Sequence, residues 1–267
     1  MILNRQQLTQ FPDGMIMYKD VMPTSNLSCS IRNFNELMMV GQAIDVINRE
    51  GIIPDLSIHY LVGSRMDRPM DKKSPNTLKV VCDVINNWNV RNLNLVWSHS
   101  QSALDRLEAT ADILSEVVFI RKGLKHLLEH DPQDVFTADG DWALCLPDAG
   151  AAKRYWNDHH GAIGIEPTVI ECSKHRHMKT GKLTGFSCPS EVPLHCIIVD
   201  DIADGAGTFS GLAGELKKNG AKRVDLIVYH GIFSKGQSVP NIDNIYTSNS
   251  FRYDLKTSSS FFVNKVI

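Results

Sequence analysis

The residue types best suited to chemistry are concentrated between Val199 and Phe209, VDDIADGAGTF. An apolar run, Cys196 to Val199, ends in the carboxylates Asp200 and Asp201. A short loop follows with Asp204, Gly205, Ala206, Gly207 and Thr208, and a helical pattern begins at Phe209. Two adjacent carboxylates can accept hydrogen bonds from neighbouring sugar hydroxyls. Small residues let backbone N–H groups approach an anion, and the N-terminus of the next helix adds a favourable partial charge. Ligands of open α/β sheets bind at the carboxyl ends of strands, where this loop falls. Together these are the parts of a ribose-phosphate site. A tight turn with an acidic cap would explain a lone Gly-rich loop; the paired acids, their spacing to Asp204 and the closing Thr208 favour the ligand.

Other charged groups are scattered more widely. Arg65, Asp67 and Arg68 lie in GSRMDR, His99 in SHS, Asp148 in LPDAGAAKR, and Lys174, His175 and Arg176 in one basic run. Each has a plainer role available. His99 would do as a core-edge histidine, Asp148 as a helix cap, and Lys174, Arg176, Lys179 and Lys182 as a solvated loop. The pair His159-His160 reads as surface.

The elements that must position these groups alternate between short apolar runs and helical patterns, which predicts an α/β fold with mainly parallel sheets flanked by helices. A helix is expected over Phe34 to Arg49, with Asn33 as its cap and Gly51 as its stop. A strand over Leu56 to Val62 follows, then a helix opened by Ser74-Pro75 and running towards Trp88, a strand over Leu93 to Trp97 and a helix from Gly123 to His130. The second half repeats the rhythm: strand Trp142–Leu146, helix Gly150–Asn157, strand Thr168–Cys172, strand His195–Val199, helix Phe209–Asn219 and strand Val224–Tyr229. Two tandem domains are expected, 1–125 and 126–267.

Composition narrows the class. A chain of 267 residues with 43% hydrophobic and 22% charged residues can bury a core and is not disordered or fibrous. A formal charge of −2 argues against nucleic-acid binding driven by bulk charge. No apolar run approaches the roughly 20 residues of a membrane span. The N-terminus has no basic region followed by an apolar run, so a cytoplasmic address is expected. The six cysteines form no CxxC pair and read as reduced thiols.

VDDIADGAGT resembles the ribose-phosphate loop of the phosphoribosyltransferase superfamily, usually VDDxxDTGGT or VDDxxDTAGT. Most of that superfamily uses PRPP to attach ribose phosphate to a base. One branch, ribose-phosphate pyrophosphokinase (PRPP synthetase), makes PRPP from ATP and carries two fused copies of the fold. Other segments point to this branch. GSRMDR resembles its YARQDR, part of the ATP site. Ser98-His99-Ser100 aligns with its DLH, whose histidine contacts the metal–ATP unit. LPDAGAAKR resembles SPDxGGxxRA, where the aspartate is a metal ligand. Lys174-His175-Arg176 resembles the mobile KRR catalytic loop, and YHGIFS the family's THGIFSG. FPDG, with Phe11 and Asp13, resembles a hairpin that reaches the adenine of a neighbouring subunit.

The resemblance implies Mg²⁺-dependent transfer of the β,γ-diphosphoryl group of ATP to the anomeric hydroxyl of ribose 5-phosphate. Lys174 and Arg176 would be catalytic. Phe11, Asp13, Arg65, Asp67, Arg68 and His99 would hold ATP, and His99 and Asp148 would meet the metal. Asp200, Asp201 and Asp204 to Thr208 would hold the sugar phosphate. Self-association into dimers, or hexamers built from them, is also implied. The pattern departs at Met15, Met66, His175 and above all Gly205, which stands where threonine is usual. Glycine removes a hydroxyl and some bulk, a change suited to a sugar whose 5-phosphate carries a further group, such as ADP-ribose in NAD salvage. Two readings of other classes stand beside these, a base-transferring phosphoribosyltransferase and an inactive regulatory paralogue.

Overall fold

The computed structural model describes residues 8–129, 142–164, 166–176 and 183–266, and the chain divides into two compact units between Asp112 and Ile113. The first unit opens with an antiparallel hairpin of β1 (Leu8–Gln10) and β2 (Ile16–Tyr18). A parallel sheet follows, ordered β3 (Asn26–Ile31), β4 (Asp55–Leu61), β5 (Leu93–Leu95) and β6 (Thr110–Ala111). Its crossovers are α1 (Phe34–Arg49), α2 (Thr77–Ile85) and α3 (Gln101–Leu107).

α1 has the expected bounds because both of its signals act. Asn33 accepts a hydrogen bond from the Glu36 amide at 2.9 Å, and Leu37, Val40, Ile44 and Ile47 join the strand residues in one core. Met39 and Ala43 instead bury Tyr18 of the hairpin. Gln42 docks that hairpin, donating to the Ile16 carbonyl at 2.9 Å and accepting from the Tyr18 amide at 2.8 Å.

α2 departs from expectation. Its cap is Asn76, whose Oδ1 accepts from the Lys79 amide at 2.9 Å while its Nδ2 donates to the Asp67 carbonyl at 3.0 Å. The Ser74 hydroxyl is taken by Asp71 at 2.7 Å. Asn76 thus serves helix and loop together, its carbonyl oxygen accepting and its amide donating.

The second unit contains α4 (Ile113–Glu129), β7 (Trp142–Leu146) and α5 (Ala149–Arg154), which runs into a π-helical turn, Tyr155–His159. β8 (Thr168–Glu171) precedes an antiparallel hairpin of β9 (Ser173–Arg176) and β10 (Leu183–Ser187). Then come β11 (His195–Ala203), α6 (Gly207–Lys218), β12 (Arg223–Gly231), β13 (Asn244–Ser248) and β14 (Phe261–Asn264). The six-stranded sheet is parallel throughout, ordered β14-β13-β12-β11-β7-β8. Side chains alternate across it. Cys196, Ile198, Val224, Leu226 and Val228 pack with Phe209, Leu212 and Leu216 of α6. On the other face Phe119 of α4 meets Tyr229 edge-on, ring centroids 4.9 Å apart. Gly123 marks the closest approach of α4: a Cβ there would lie 2.9 Å from a Tyr246 ring carbon.

Several expectations shift. A boundary at 125/126 would cut α4, which belongs with the second sheet because Phe119 and Gly123 pack on it. β11 does not stop at Val199; its pairing with β12 continues through Asp200–Val228 and Ile202–His230. His159 is buried rather than on the surface, its Nε2 2.9 Å from Glu116 Oε2. The cysteines are free, as expected, and burial pushes the Cys29 and Cys172 thiols up to about 12. No helix among the described residues is long and apolar enough to cross a membrane.

Candidate functional site

In the second unit the site grows from the end of β11. Asp200 and Asp201 lie within the strand, and Arg154, the last residue of α5, donates to Oδ1 of both, at 3.0 and 3.1 Å. The Asp201 side chain is 2% exposed and that of Asp200 13%. So close a pair of acids makes ionisation costly. Burial first, and the Asp201 charge second, push the Asp200 carboxyl well above the usual carboxylate range, with Arg154 pulling the other way. Burial also opposes the charge on Arg154, but Asp201 and Asp200 outweigh it and raise its pKa. One guanidinium thus bridges the two carboxylates at the strand end.

The chain then leaves the sheet and turns into α6. Ala206 takes a left-handed conformation, φ 53°, unusual for a residue with a side chain. A left-handed residue ahead of a helical N-terminus turns successive amides towards one point, the geometry of an anion-binding nest. Gly207 has open space where a Cβ would stand. Asp204, Gly205, Ala206 and Thr208 are half-buried and Gly207 exposed, so this turn opens to solvent.

Asp148 follows β7 and serves two partners. Its Oδ1 caps α5, accepting from the Gly150 and Ala151 amides at 2.9 and 3.1 Å, and its Oδ2 pairs with the Lys174 ammonium. Burial alone would raise its pKa; Lys174 and the two amides outweigh that and hold the carboxyl below its usual range. Lys174 stands on β9, so this basic run is the root of a β-hairpin rather than an unpaired segment. The side chains of His175 and Arg176, and Lys179 and Lys182 altogether, lie outside the described residues.

The first unit gathers a second set at the carboxyl ends of its strands. Arg65, Asp67 and Arg68 occupy the loop after β4, with both arginines exposed. Asp67 Oδ2 accepts from the Ser100 hydroxyl at 2.9 Å, and Ser100 caps α3. This bond ties the arginine loop to the loop carrying His99. Trp97, just before it, is buried yet has φ 49°, a local strain held by packing. Phe11 and Asp13 sit at the hairpin tip, where Phe11 is 43% exposed and Asp13 accepts from the Met15 amide at 3.0 Å. Among the described residues no group of three or more His, Cys, Asp or Glu could hold a metal ion.

Arg154 is the residue that sequence reasoning leaves without a role. Its signal lies in LPDAGAAKR: a helix capped by Asp148 puts Arg154 in its last turn, and β7, which leads into that helix, pairs directly with β11.

These features define a class, α/β proteins with parallel sheets flanked by helices, here in two compact units. No protein-family model matches the chain. It is 23% identical over 260 residues to the ribose-phosphate pyrophosphokinase of Mycoplasmopsis pulmonis, covering 95% of this chain and 74% of that one. It is 28% identical over 192 residues to the ribose-phosphate pyrophosphokinase of Aquifex aeolicus, covering 70% of this chain and 56% of the relative. Across such relatives the chain spans from about half to three quarters of their length. The crystal structure of phosphoribosylpyrophosphate synthetase from Mycobacterium smegmatis shares the fold, with TM-score 0.71 and 17% identity, over 97% of this chain and 85% of that one. Along most of its length the chain is thus similar to ribose-phosphate pyrophosphokinases, at 23–28% identity.

Proposed function

We propose that the protein is a diphosphokinase that transfers the β,γ-diphosphoryl group of ATP to the anomeric hydroxyl of ribose 5-phosphate, giving PRPP and AMP. The observation that carries this reading is the aspartate pair bridged by Arg154 and running directly into the amide cradle at Gly205–Thr208. Asp200 and Asp201 orient the sugar hydroxyls and the cradle holds the 5-phosphate. Lys174 and Arg176 act on the transferring group, Arg176 through the fixed fork of its guanidinium. Arg65, Asp67, Arg68 and His99 serve ATP, with Phe11 and Asp13 reaching the adenine of a second copy in a dimer-based assembly. Mg²⁺ takes few protein ligands and keeps waters; in the second unit Asp148, with a hard carboxylate oxygen, and in the first unit His99 are each suited to meet a metal–nucleotide group, whose ion would neutralise charge on the transferring phosphates. Phosphoryl transfer depends on such positioning and charge stabilisation.

A second reading keeps the reaction and enlarges the acceptor to a 5-substituted sugar phosphate such as ADP-ribose. It is favoured by Gly205, which offers no hydroxyl donor to a terminal phosphate. Mass spectrometry of products formed from ATP and Mg²⁺ with either acceptor tests both. AMP and a 1-diphospho sugar should form in equal amounts. ADP in place of AMP, or no acceptor-dependent turnover, would overturn the reading.

A further inference from the structure

Two departures from the family's patterns face each other. Gly205 stands where threonine is usual, and Lys235 closes YHGIFSK where the family's THGIFSG ends in glycine. A Cβ built on Gly205 would lie 3.5 Å from Lys235 Cε, 3.7 Å from Cδ and 3.9 Å from Nζ. The space beside Gly205 is therefore bordered by a lysine stem, and it is not the simple opening that glycine alone suggests.

The position of Lys235 is built into the fold. The Ile232 and Phe233 amides both donate to the Ala203 carbonyl, at 2.8 and 3.0 Å, and Ala203 directly precedes Asp204. The lysine loop and the phosphate loop therefore leave the sheet from one anchor. Phe233 is 1% exposed, packs on Phe261 with ring centroids 5.2 Å apart, and holds φ 45°. Arg252 donates to the Ile232 and Phe233 carbonyls at 3.5 and 3.3 Å, and the Gly236 amide closes the turn on Phe233 at 2.9 Å. A strained, buried phenylalanine two residues before an exposed lysine fixes where that lysine starts.

We propose that Lys235 is a specificity-determining residue of the acceptor site, supplying to the phosphate end of the sugar the contact that a threonine at 205 would otherwise make. A hydroxyl is a short neutral donor, whereas an ammonium is a full charge with three donors on a flexible stem. The exchange replaces a close geometric check on one terminal phosphate with a mobile charge. Such a charge serves a phosphomonoester dianion and can also follow a 5-diphosphate outward. This inference rests on the ribose-phosphate reading of the Asp200–Thr208 loop.

The test is calorimetric titration of ribose 5-phosphate and of ADP-ribose into the full chain, as wild type and as Lys235→Ala, Lys235→Gln and Lys235→Arg. Losing a charge-assisted contact should weaken binding about tenfold or more in Lys235→Ala and Lys235→Gln. Lys235→Arg should retain it, and ATP affinity should not move in any variant. A loss confined to ribose 5-phosphate assigns Lys235 to the terminal phosphate; a larger loss for ADP-ribose assigns it to the second. Unchanged affinity for both sugars in Lys235→Ala, or no binding of either sugar by the wild type, overturns the inference. Binding is read without turnover, so the two readings fail separately. Lys235-dependent binding with no AMP formed would sink the reaction alone, whereas AMP formation indifferent to Lys235 would sink this residue's role alone.

Discussion

The two ends of the six-stranded sheet both pair carboxylates with an arginine, and they do it to opposite effect. At the strand starts Asp225 has no exposed surface, and its carboxylate is closed on each side. His195 Nε2 and Arg223 Nε meet Oδ2 at 2.9 and 2.8 Å, and Asn244 donates to Oδ1 at 3.0 Å. Arg223 also reaches the Leu127 carbonyl at 3.1 Å, tying α4 to that edge. At the strand ends one guanidinium serves both Asp200 and Asp201. The first cluster is sealed and holds strands in register; the second, itself largely buried, sits where the strand runs into a loop that reaches solvent at Gly207.

The largest effect should come from breaking the sealed end. Asp225→Ala leaves buried donors facing nothing and should cost about 3–5 kcal/mol of stability in urea unfolding, with ribose 5-phosphate affinity of the remaining folded protein unchanged. A loss of affinity as large as the loss of stability would erase the distinction between the two ends.

Next comes the open end. Lys174→Ala and Arg176→Ala should each lower turnover by about 100- to 1,000-fold, with the Michaelis constant for the sugar little altered, as for contacts made chiefly in the transition state. Steady-state kinetics decides it. A change seen only in sugar affinity would move both residues to ground-state binding.

The smallest effect has the opposite sign. Asp200→Asn removes one of two crowded charges and should raise stability by about 1 kcal/mol at neutral pH while lowering turnover. Its pH dependence follows from the raised carboxyl of Asp200. Because the folded chain binds that proton more tightly than the unfolded chain, wild-type stability falls as pH rises from the ordinary carboxylate range through the raised value. The advantage of the variant should therefore vanish in acid and open as pH rises. Asp148, with its lowered pKa, contributes the opposite slope but is common to both proteins and cancels. Parallel urea curves from acid to neutral pH check this, and a pH-independent gap would contradict the crowding.

Much of the fold and part of the site are legible in the amino-acid sequence. α1 and β7 keep their expected bounds because cap, periodicity and apolar run agree. The tight turn from β11 into α6 is readable because its small residues mark a break ahead of a helix start. The end of β11 is not, since two aspartates interrupt an apolar run, whereas backbone pairing to Val228 and His230 ignores side-chain polarity. β3, β13 and β14 carry no separate signal, since register with a neighbouring strand, not local pattern, makes them strands. The role of Arg154 stays hidden because its partners lie far along the chain. The approach of Lys235 to Gly205 is hidden for the same reason, since neither residue announces the other.

The two oxygens of Asp148 have separate duties. One oxygen keeps α5 wound while the other holds Lys174, so loss of the Lys174 pairing would leave the cap of the helix in place. α5 then stays a rigid spacer of about 9 Å, at 1.5 Å per residue. It sets the distance between the carboxylates held by Arg154 and the cap at Asp148 where Lys174 pairs.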